Sequence, residues 1–494
     1  MPKIVLIFPK VSELSSDNRI NIFPPLGVLS LAGSLISKGI EVSVVDERIE
    51  DKFEEKLLHE LKSGVLFVGI SSMSGEQIKH GLAISDFIKK NSKIPVVWGG
   101  VHPTLEPVST LKHSLVDMVA VGESEETVLG LVEYFQNGTA VSRIKGIGFK
   151  KEGRPVFNDA AGAVDLDSIP FIPFNLVNLR SYITDTSFFG FRGRLIIPLE
   201  TSRGCSHRCT FCRESVQPRP WRAMGAQRVV EQIKEVTVRY NSNTFVFCDD
   251  NFFVDIKRAE AIMNLLEEQG TDIEWYTNIR PDYLTRRGEG LVSFLQSRGC
   301  KSLTMGIESG SNKVLEKIGK GITTEDVFKV NRIMSKSRIK PLYVAILGFP
   351  YDNKHTINET YAMAVRLAFE NPGAKIDLVK LIPTPATKIL DECCRRGFKR
   401  PESLVEWSEV FDKMMSRYAY WLEDDAMRWL TKCRYIMLVL WLKDAKPLFA
   451  GRFIFYLFGG LFLLRQKYQY WGLWFEPKVI MILRKIKRGL AVRD

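Results

Sequence analysis

Three cysteines lie within eight residues of one segment: Cys205, Cys209 and Cys212 in the string TSRGCSHRCTFCRES. Three thiolates at this spacing can bind three irons of a cubane iron–sulfur cluster and leave the fourth iron without a protein ligand. An open coordination position is what allows a metal site to act on a bound molecule. The sequence therefore predicts a cluster that takes part in a reaction.

Other uses of three close cysteines fit this chain less well. Structural zinc sites use four ligands, usually in two Cys-x2-4-Cys pairs, and the cysteine segment adds only His207. Electron-carrying clusters normally use a fourth cysteine, and none lies nearby in the sequence. Eight cysteines in 494 residues, with no secretory pattern at the start, favour a reducing, cytoplasmic location over disulfides.

Further segments have the pattern of strands that end in polar residues or glycine. They are RLIIPLE at 194–200, FVFCDD at 245–250, WYTNIRPD at 275–282, LTMGIESGS at 303–311 and VAILGFP at 344–350. The first of them leads directly into the cysteines. Barrel enzymes place their active sites at such strand ends. Cys248 and Cys300 are predicted to be small buried hydrophobic residues, and the other cysteines, Cys393, Cys394 and Cys433, have no partner at ligand spacing.

The cysteine segment and these strand ends resemble the radical S-adenosylmethionine (SAM) superfamily. The resemblance implies a partial (β/α)6 barrel over residues 194–400, a [4Fe-4S] cluster bound by the three cysteines, and SAM chelating the open iron. It implies a SAM site that includes Phe211, Arg280, Gly306 and Glu308. Glu308 also has an alternative role, as an acid that complements the dipole of the following helix.

The first 140 residues alternate short apolar runs with amphipathic helical stretches. The apolar runs are 3–8, 41–46, 65–71, 94–100 and 116–123, and the helical stretches include 24–39, 75–90 and 124–136. This alternation predicts a doubly wound, Rossmann-like α/β domain. Ligands of such sheets bind at the carboxyl ends of the strands. No G-x-G-x-x-G follows the first strand, which disfavours a dinucleotide.

An α/β domain ahead of three such cysteines, with the strings FPPLGVLSLA, WGGVHPT and VAVGESEET, resembles the cobalamin-binding subclass of radical SAM enzymes. That group includes the anaerobic magnesium-protoporphyrin IX monomethyl ester cyclase and the hopanoid methylases. The resemblance implies a cobalamin site at the strand ends. Its candidate residues are Ser71, Ser72, Gly99, Gly100, His102 and Gly122. His102 has an alternative role as a turn histidine with its own partners. The Asp-x-His-x-x-Gly motif of axial ligation is absent, and a domain that has lost cobalamin stays open as an alternative.

The rest of the chain is predicted to be a connector at 141–193 and a helical, basic, aromatic-rich region at 401–494. The connector contains a predicted hairpin at 146–157 that turns at Glu152 and Gly153. Residues 428–494 hold 14 Lys and Arg against 3 Asp and Glu, a net charge of +11 out of +12 for the whole chain. The longest uncharged run after Arg452 has 12 residues, short of the ~20 that span a bilayer.

Two interpretations of this C-terminal region stand side by side. It either associates with an anionic membrane surface, at the inner face of the membrane, or forms a helical cap whose Trp and Phe residues belong to a core. No nucleic-acid reader motif accompanies the basic charge.

The combined resemblance implies a reaction in which an external one-electron donor, of flavodoxin or ferredoxin type, reduces the cluster and SAM is cleaved. The predicted outcome is methylation of an unactivated carbon of a large hydrophobic substrate, such as a lipid, isoprenoid or tetrapyrrole. Ring closure or oxidation without net methyl transfer is the first alternative. A non-catalytic cobalamin- or cluster-binding protein is the second.

Overall fold

A computed structural model describes residues 2–11, 23–62, 64–183, 191, 194–216, 220–416, 421–430, 436–437, 440 and 449–468. The chain divides into two compact units. The first unit comprises Met1–Thr277, Ile382–Cys394 and Phe398–Tyr418, and the second comprises Asn278–Leu381, Arg395–Gly397 and Ala419–Asp494.

The first unit opens with a sheet of seven described strands. In chain order they are β1 (Lys3–Phe8), β2 (Glu41–Asp46), β3 (Val65–Ser71), β4 (Val96–Gly99), β5 (Met118–Ala120), β6 (Ile147–Lys151) and β7 (Arg154–Phe157). They lie in the order β2-β1-β3-β4-β5-β6-β7, and the first five run parallel. The order 2-1-3-4-5 is that of flavodoxin-like doubly wound sheets, which bind ligands where the strand order reverses, between β1 and β3.

Helices cover this sheet because its central strands are apolar on both faces. The described helices are α1 (Leu26–Ile36), α2 (Phe53–Leu61), α3 (Glu76–Asn91), α4 (Val101–Leu105), α5 (Pro107–Lys112) and α6 (Glu125–Asn137). In β1, Ile4, Val5 and Ile7 are completely buried. Burial of each such side chain contributes about 1.5–3 kcal/mol. The predicted doubly wound domain is confirmed.

The hairpin predicted within the connector is also confirmed. Strands β6 and β7 pair antiparallel, and the turn between them places Glu152 at φ 51° and Gly153 at φ 76°. The hairpin extends the first sheet, because β6 also pairs antiparallel with β5. Beyond it, the Tyr182 hydroxyl donates a 2.7 Å hydrogen bond to the buried Asp46 carboxylate, which attaches the connector to the end of β2.

The first unit continues with three parallel strands that follow the connector. They are β8 (Ile197–Leu199), β11 (Thr244–Phe247) and β12 (Glu274–Asn278), with α7 (Ala226–Tyr240) and α8 (Ile256–Glu268) between them. A two-residue antiparallel ladder joins β9 (Ser202–Arg203) to β10 (Arg222–Ala223). Strand β8 ends at Leu199, directly before the segment that contains the three cysteines.

The second unit repeats the same strand–helix alternation. Its strands are β13 (Cys300–Glu308), β14 (Lys340–Leu347) and β15 (Lys375–Lys380), and its helices include α9 (Pro281–Ser297), α10 (Asn312–Lys317), α11 (Thr324–Met334) and α12 (Lys354–Glu370). The three strands run parallel in sequence order. The predicted series of strand–helix repeats after residue 194 is therefore confirmed.

The described part of the C-terminal region is helical, as predicted. Helix α13 (Lys388–Arg395) precedes this region, and the helices of the region itself are α14 (Leu404–Ser416), α15 (Asp424–Leu430) and α16 (Phe449–Tyr468). Helix α14 packs on α3 in the first unit, and α15 and α16 pack on α12 in the second. The rings of Phe369 and Phe455 lie 4.9 Å apart at the α12–α16 contact. None of the helices within the described ranges combines the length and apolar character needed to cross a membrane.

Candidate active site

The three cysteines lie in the cysteine loop, which we define as residues 200–216 after β8. Cys209 is buried, and Cys205 and Cys212 are half-buried. The Cys212 amide donates a 3.0 Å hydrogen bond to the Cys209 carbonyl, which turns the chain between these two positions. The Asn251 amide nitrogen lies 3.6 Å from the Cys205 sulfur. Such N–H···S bonds to cluster thiolates are one of the means by which proteins tune reduction potentials.

A buried aspartate fixes the start of the loop. One Asp249 oxygen accepts a hydrogen bond from the Thr201 amide, and the other accepts from the hydroxyls of Thr201 and Ser202, each over 2.7 Å. Burial raises the pKa of Asp249, while these hydrogen bonds act in the opposite direction. No role was expected for Asp249 from the sequence. The sequence feature that could have identified Asp249 is the pair of aspartates at the end of FVFCDD, since consecutive acidic residues at a strand end need partners.

Two further contacts hold the loop near Cys205. The neighbouring Asp250 accepts a 3.1 Å hydrogen bond from the Gly204 amide. Arg208, although exposed, donates to the Cys205 carbonyl over 3.1 Å. Because the backbone on both sides of Cys205 is bonded in this way, the loop has a defined course before any cofactor binds.

The donor set of this loop fits an iron–sulfur cluster. Across the described ranges, no three His, Cys, Asp or Glu side chains converge on a point suited to a single metal ion. Cluster thiolates bind separate irons, so they do not need to converge on one point. Three thiols in one bonded loop, one of them already accepting an N–H···S bond, match that requirement.

Three of the predicted SAM-binding residues lie together in the second unit. Glu308 ends β13 in the left-handed region at φ 56°, and its carboxylate accepts a 2.7 Å hydrogen bond from the Lys320 ammonium. A Cβ at Gly306 would collide with that carboxylate. Arg280 donates to the Lys320 carbonyl over 2.6 Å. Phe211, the fourth predicted residue, is half-buried in the cysteine loop of the first unit.

Lys320 is the residue of this group that sequence reasoning missed. It lies in the string Gly319-Lys320-Gly321, where both glycines have positive φ, 65° and 68°. A lysine in so tight a turn is expected to have a fixed side-chain position. The alternative role of Glu308 was to complement the dipole of the helix that follows, α10. Glu308 lies outside the first turn of α10, which contains no acidic residue, and its carboxylate is bonded to Lys320.

A cavity of about 330 Å³ lies at the carboxyl edge of the first sheet, which we define as the carboxyl ends of β1, β3, β4 and β5. Four of the predicted cobalamin residues line it: Ser71, Gly99, Gly100 and Gly122. Gly27 also lines it, and no other atom lies within 4 Å of the place that a Cβ would occupy there. Gly27, Gly99, Gly100 and Gly122 leave parts of the lining without side chains, between apolar residues such as Leu6, Phe67 and Ile70. Such a lining allows close approach of a flat, largely apolar ring system, so it suits a corrin.

Ser72 and His102, the other two predicted cobalamin residues, do not line this cavity. Ser72 is completely buried and accepts the His102 amide through its carbonyl, over 2.9 Å. The His102 ring is also buried, with Nδ1 2.9 Å from the Ser74 hydroxyl and the Trp407 ring 5.8 Å away. Burial lowers the pKa of His102 to about 3, so the ring is neutral. Nδ1 therefore has the partner expected of the alternative turn histidine, whereas the buried Nε2 has no hydrogen-bond partner among the described residues.

The far wall of the cavity comes from the cysteine loop and its supports. Its charged lining includes Glu200, Arg203, Arg213, Glu214, Arg222 and Asp250. All of these residues belong to the first unit. One cavity is therefore bounded by the carboxyl edge of the doubly wound sheet and by the loop that contains the three cysteines.

The remaining cysteines were predicted correctly in part. Cys300 is buried, as expected, and Cys393 is buried too. The prediction for Cys248 is wrong: its side chain is exposed, because β11 ends at Phe247 and the next residue lies beyond the packed strand. Cys394 is half-buried, and Cys433 lies outside the described residues.

Known proteins show the same pair of domains. Residues 17–132 match the B12 binding domain, and residues 199–364 match the radical SAM superfamily. An uncharacterized methyltransferase of Pyrococcus horikoshii is 29% identical over 395 residues, which cover 78% of this chain and 82% of the relative. The cytidylyl-2-hydroxyethylphosphonate methyltransferase of Streptomyces wedmorensis is 25% identical, with 81% and 83% covered. The anaerobic magnesium-protoporphyrin IX monomethyl ester cyclase of Synechocystis is 22% identical, with 70% and 69% covered.

Two solved structures share the fold. The cobalamin-dependent SAM radical enzyme OxsB, with aqua-cobalamin and SAM bound, has a TM-score of 0.70 at 16% identity and covers 99% of this chain and 81% of its own. The radical SAM methyltransferase TsrM of Kitasatospora setae, with cobalamin and a [4Fe-4S] cluster bound, has a TM-score of 0.67 at 16% identity and covers 99% and 100%.

These matches define the class of protein. The chain has a B12 binding domain ahead of a radical SAM domain, the pair of domains found in cobalamin-dependent radical SAM enzymes. The cofactors of these domains are a [4Fe-4S] cluster, SAM and cobalamin. The predicted family, fold class and cofactors are confirmed, and the individual site residues stay predictions.

Proposed function

We propose that this enzyme methylates an unactivated carbon of a large hydrophobic substrate. The observation that carries the proposal is the shared cavity. Its floor is the carboxyl edge of the B12 binding sheet and its far wall comes from the cysteine loop. The methyl donor and the radical-generating site would therefore open onto the same space.

The residues that would hold each group follow from the site. Cys205, Cys209 and Cys212 would bind three irons of the cluster. SAM would contact Arg280, Gly306 and Glu308, and cobalamin would rest on Ser71, Gly99, Gly100 and Gly122. When bound, the cluster with SAM supplies hydrogen-atom abstraction, and cobalamin supplies methyl transfer.

The chain's own contribution is orientation. Asp249 holds the start of the cysteine loop through three hydrogen bonds. The buried Glu308–Lys320 pair offers a carboxylate and an ammonium side by side, which is the complement of an amino acid's ammonium and carboxylate groups. Rigid partners of this kind place reacting groups without further ordering when the ligand binds.

The substrate class rests on the C-terminal region and on one relative. The Synechocystis relative is named for a magnesium-protoporphyrin ester, which is a large hydrophobic tetrapyrrole. In the second unit, Trp421 and Trp429 are buried, and the Tyr361 hydroxyl donates to the Trp429 carbonyl over 3.0 Å. The buried side chains of Trp421 and Trp429 fit the cap interpretation, in which aromatic residues belong to a core.

Helix α16 supports a membrane-facing role in addition to the cap. Its Phe455, Phe458 and Phe462 are buried, but Tyr456, Leu457 and Leu464 are exposed, so the helix is apolar on both faces. Helix α16 lies within residues 428–494, the segment in which Lys and Arg outnumber Asp and Glu. An exposed apolar face beside Lys and Arg favours binding in the plane of an anionic bilayer, at the inner face of the membrane.

Vesicle binding tests this part of the proposal. A variant with Tyr456→Ser, Leu457→Ser and Leu464→Ser should bind vesicles of phosphatidylglycerol and phosphatidylcholine several-fold more weakly than the unaltered chain. Val238→Ser is the matched control, since Val238 is an 85% exposed apolar residue on α7. Equal binding of all three proteins would leave the region as a cap alone.

Product analysis tests the reaction. The protein is reconstituted anaerobically with iron, sulfide and cobalamin, reduced by a flavodoxin- or ferredoxin-type donor, and incubated with SAM and tetrapyrrole, isoprenoid or lipid acceptors. Methylation requires S-adenosylhomocysteine and 5′-deoxyadenosine in comparable amounts together with a methylated acceptor. An altered acceptor with 5′-deoxyadenosine alone would establish ring closure or oxidation instead. Absence of SAM cleavage would revive a non-catalytic binding protein.

A further inference from the structure

Arg203 binds carboxylates from two parts of the first unit that are far apart in sequence. Its Nη2 lies 2.7 Å from Glu125 and its Nη1 lies 3.3 Å from Glu123. Both acids stand at the start of α6, on the carboxyl edge of the first sheet. Its Nε lies 2.7 Å from Glu200, in the cysteine loop. One guanidinium thus joins the predicted cobalamin edge to the loop two residues before Cys205.

A second arginine strengthens the same junction. Arg222 of β10 lies directly opposite Arg203 of β9, and like charges at opposite positions of a ladder repel. Glu123 pairs with both arginines. Arg222 also donates to the Val164 carbonyl over 2.7 Å, so the connector takes part as well. The anion between the two arginines makes their close approach favourable.

Burial makes this arrangement specific in geometry. The side chains of Arg203 and Glu125 are only 14% and 8% exposed, and Glu125 accepts a further 3.1 Å hydrogen bond from Ser30 on α1. A guanidinium is planar, and its donors point in fixed directions. It can therefore meet three carboxylates at once in only one relative placement of the loop and the sheet edge. Surface ion pairs, by contrast, impose little geometry.

We propose that Arg203 is a positioning residue, which holds the cysteine loop in register with the carboxyl edge of the B12 binding sheet. The inference rests on the proposed function, in which both sides of the cavity receive cofactors. In this role Arg203 touches no reacting atom. It acts through Glu123, Glu125 and Glu200, by keeping the distance between the two halves of the cavity constant.

Hydrogen–deuterium exchange of the cofactor-free chain tests the positioning directly. Arg203→Met keeps the aliphatic stem and removes the charge. We expect faster amide exchange in residues 200–212 and 121–127, with other segments unchanged. Arg239→Met is the matched control, because Arg239 also pairs with a glutamate, Glu235, but is 53% exposed on α7. Unchanged exchange in the loop of Arg203→Met would overturn the proposal.

The reconstituted enzyme gives an independent readout without any acceptor. Iron, cobalamin and the slow cleavage of SAM to 5′-deoxyadenosine are measured in the same Arg203→Met sample, because a loosened cysteine loop should lower all three to some extent. Acceptor-free formation of S-adenosylhomocysteine reports methyl transfer from SAM to the reduced cobalamin and needs both sites in register. It should fall about tenfold or more, since a displacement near 1 Å can cost about 10²-fold. A fall no larger than that in SAM cleavage would contradict the positioning role.

Milder variants keep the test decisive if Arg203→Met does not fold. Glu125→Gln removes one ion pair and should reduce the same transfer less severely. Where Arg203→Met does fold, the two changes combined should be non-additive, because both act on one contact, and additive effects would overturn the proposal. If the unaltered enzyme binds no cobalamin, the proposed function is refuted. The exchange experiment on the cofactor-free chain would still test the positioning role of Arg203.

Discussion

The Lys320 ammonium donates a 2.7 Å hydrogen bond to the Glu308 carboxylate, and the two side chains are only 8% and 7% exposed. Glu308 holds a left-handed backbone conformation at the end of β13, so the residue itself is strained. A strained carboxylate with a buried counterion at a strand end is the arrangement expected of a ligand-binding group.

Removal of the lysine charge should therefore leave a costly buried anion. We expect Lys320→Met to destabilise the cofactor-free chain by about 3–5 kcal/mol and to weaken SAM binding. The thermal midpoint and equilibrium dialysis with SAM measure the two effects. Lys336→Met is the control, because Lys336 forms an exposed pair with Glu289. Unaltered SAM binding in a folded Lys320→Met protein would exclude Lys320 and Glu308 from the SAM site.

Loss of any cysteine of the loop should remove the cluster. Cys205→Ala, Cys209→Ala and Cys212→Ala should each lose most of the iron after reconstitution and all measurable SAM cleavage, because each thiolate would be the sole protein ligand of its iron. Cys394→Ala, at a half-buried position on α13, should keep both. Iron analysis measures the cluster content of each variant, and product quantification measures its SAM cleavage. SAM cleavage that persists in a single variant would remove that cysteine from the ligand set.

The support under the loop should matter nearly as much as its ligands. Asp249→Asn replaces an oxygen that accepts hydrogen bonds by an amide nitrogen that donates them, so at least one of the three bonds is lost. The cost is about 1–3 kcal/mol for the donors left unsatisfied. We expect reduced iron incorporation and faster amide exchange in residues 200–205. Asp272→Asn changes an exposed aspartate and should match the unaltered chain in both measurements.

Asp352 should make stability depend on pH. Burial raises the pKa of Asp352 to about 6 from 3.8, although bonds from Thr356, Gly348 and Phe349 oppose the shift. The folded state therefore binds a proton more readily than the unfolded state. The stabilisation is complete below pH 4 and is lost as the pH rises through about 6.

Two pKa units correspond to roughly 3 kcal/mol, so the thermal midpoint of the cofactor-free chain should fall between pH 4.5 and 7. Asp352→Asn should flatten this dependence. The exposed Asp425, which pairs with Arg428 on α15, supplies the control Asp425→Asn. An equal pH slope in all three proteins would show that Asp352 does not titrate in this range.

Local patterns predicted those parts of the molecule that local forces determine. The apolar runs of β1 to β5 are buried on both faces, and the turn formed at Glu152 and Gly153, where the glycine accommodates positive φ at one of the two positions. Cys248 was predicted wrongly because an apolar run shows that a strand is buried but not at which residue its packing ends. A single position decides between a core side chain and an exposed one.

The partners of charged groups could not be predicted in the same way. Asp249 binds Thr201 across 48 positions of sequence, and Arg203 binds Glu125 across 78. Such pairs form only when the chain has brought distant loops together, and the sequence between them contains no periodic signal for that contact. Lys320 would have been easier to identify from the sequence, because the glycines on both sides of it indicate a constrained turn.

By itself, the sequence determined the chemistry of this protein: three cysteines at cluster spacing, a doubly wound domain before them, and strand–helix repeats after them. Residue type and short spacing are sufficient for these features, since ligand chemistry and hydrophobic periodicity act locally. Only the tertiary structure decided which side chains surround the cavity, that His102 lies outside it, and that Arg203 joins its two walls. Those outcomes depend on long-range contacts, whose geometry is set when the whole domain packs.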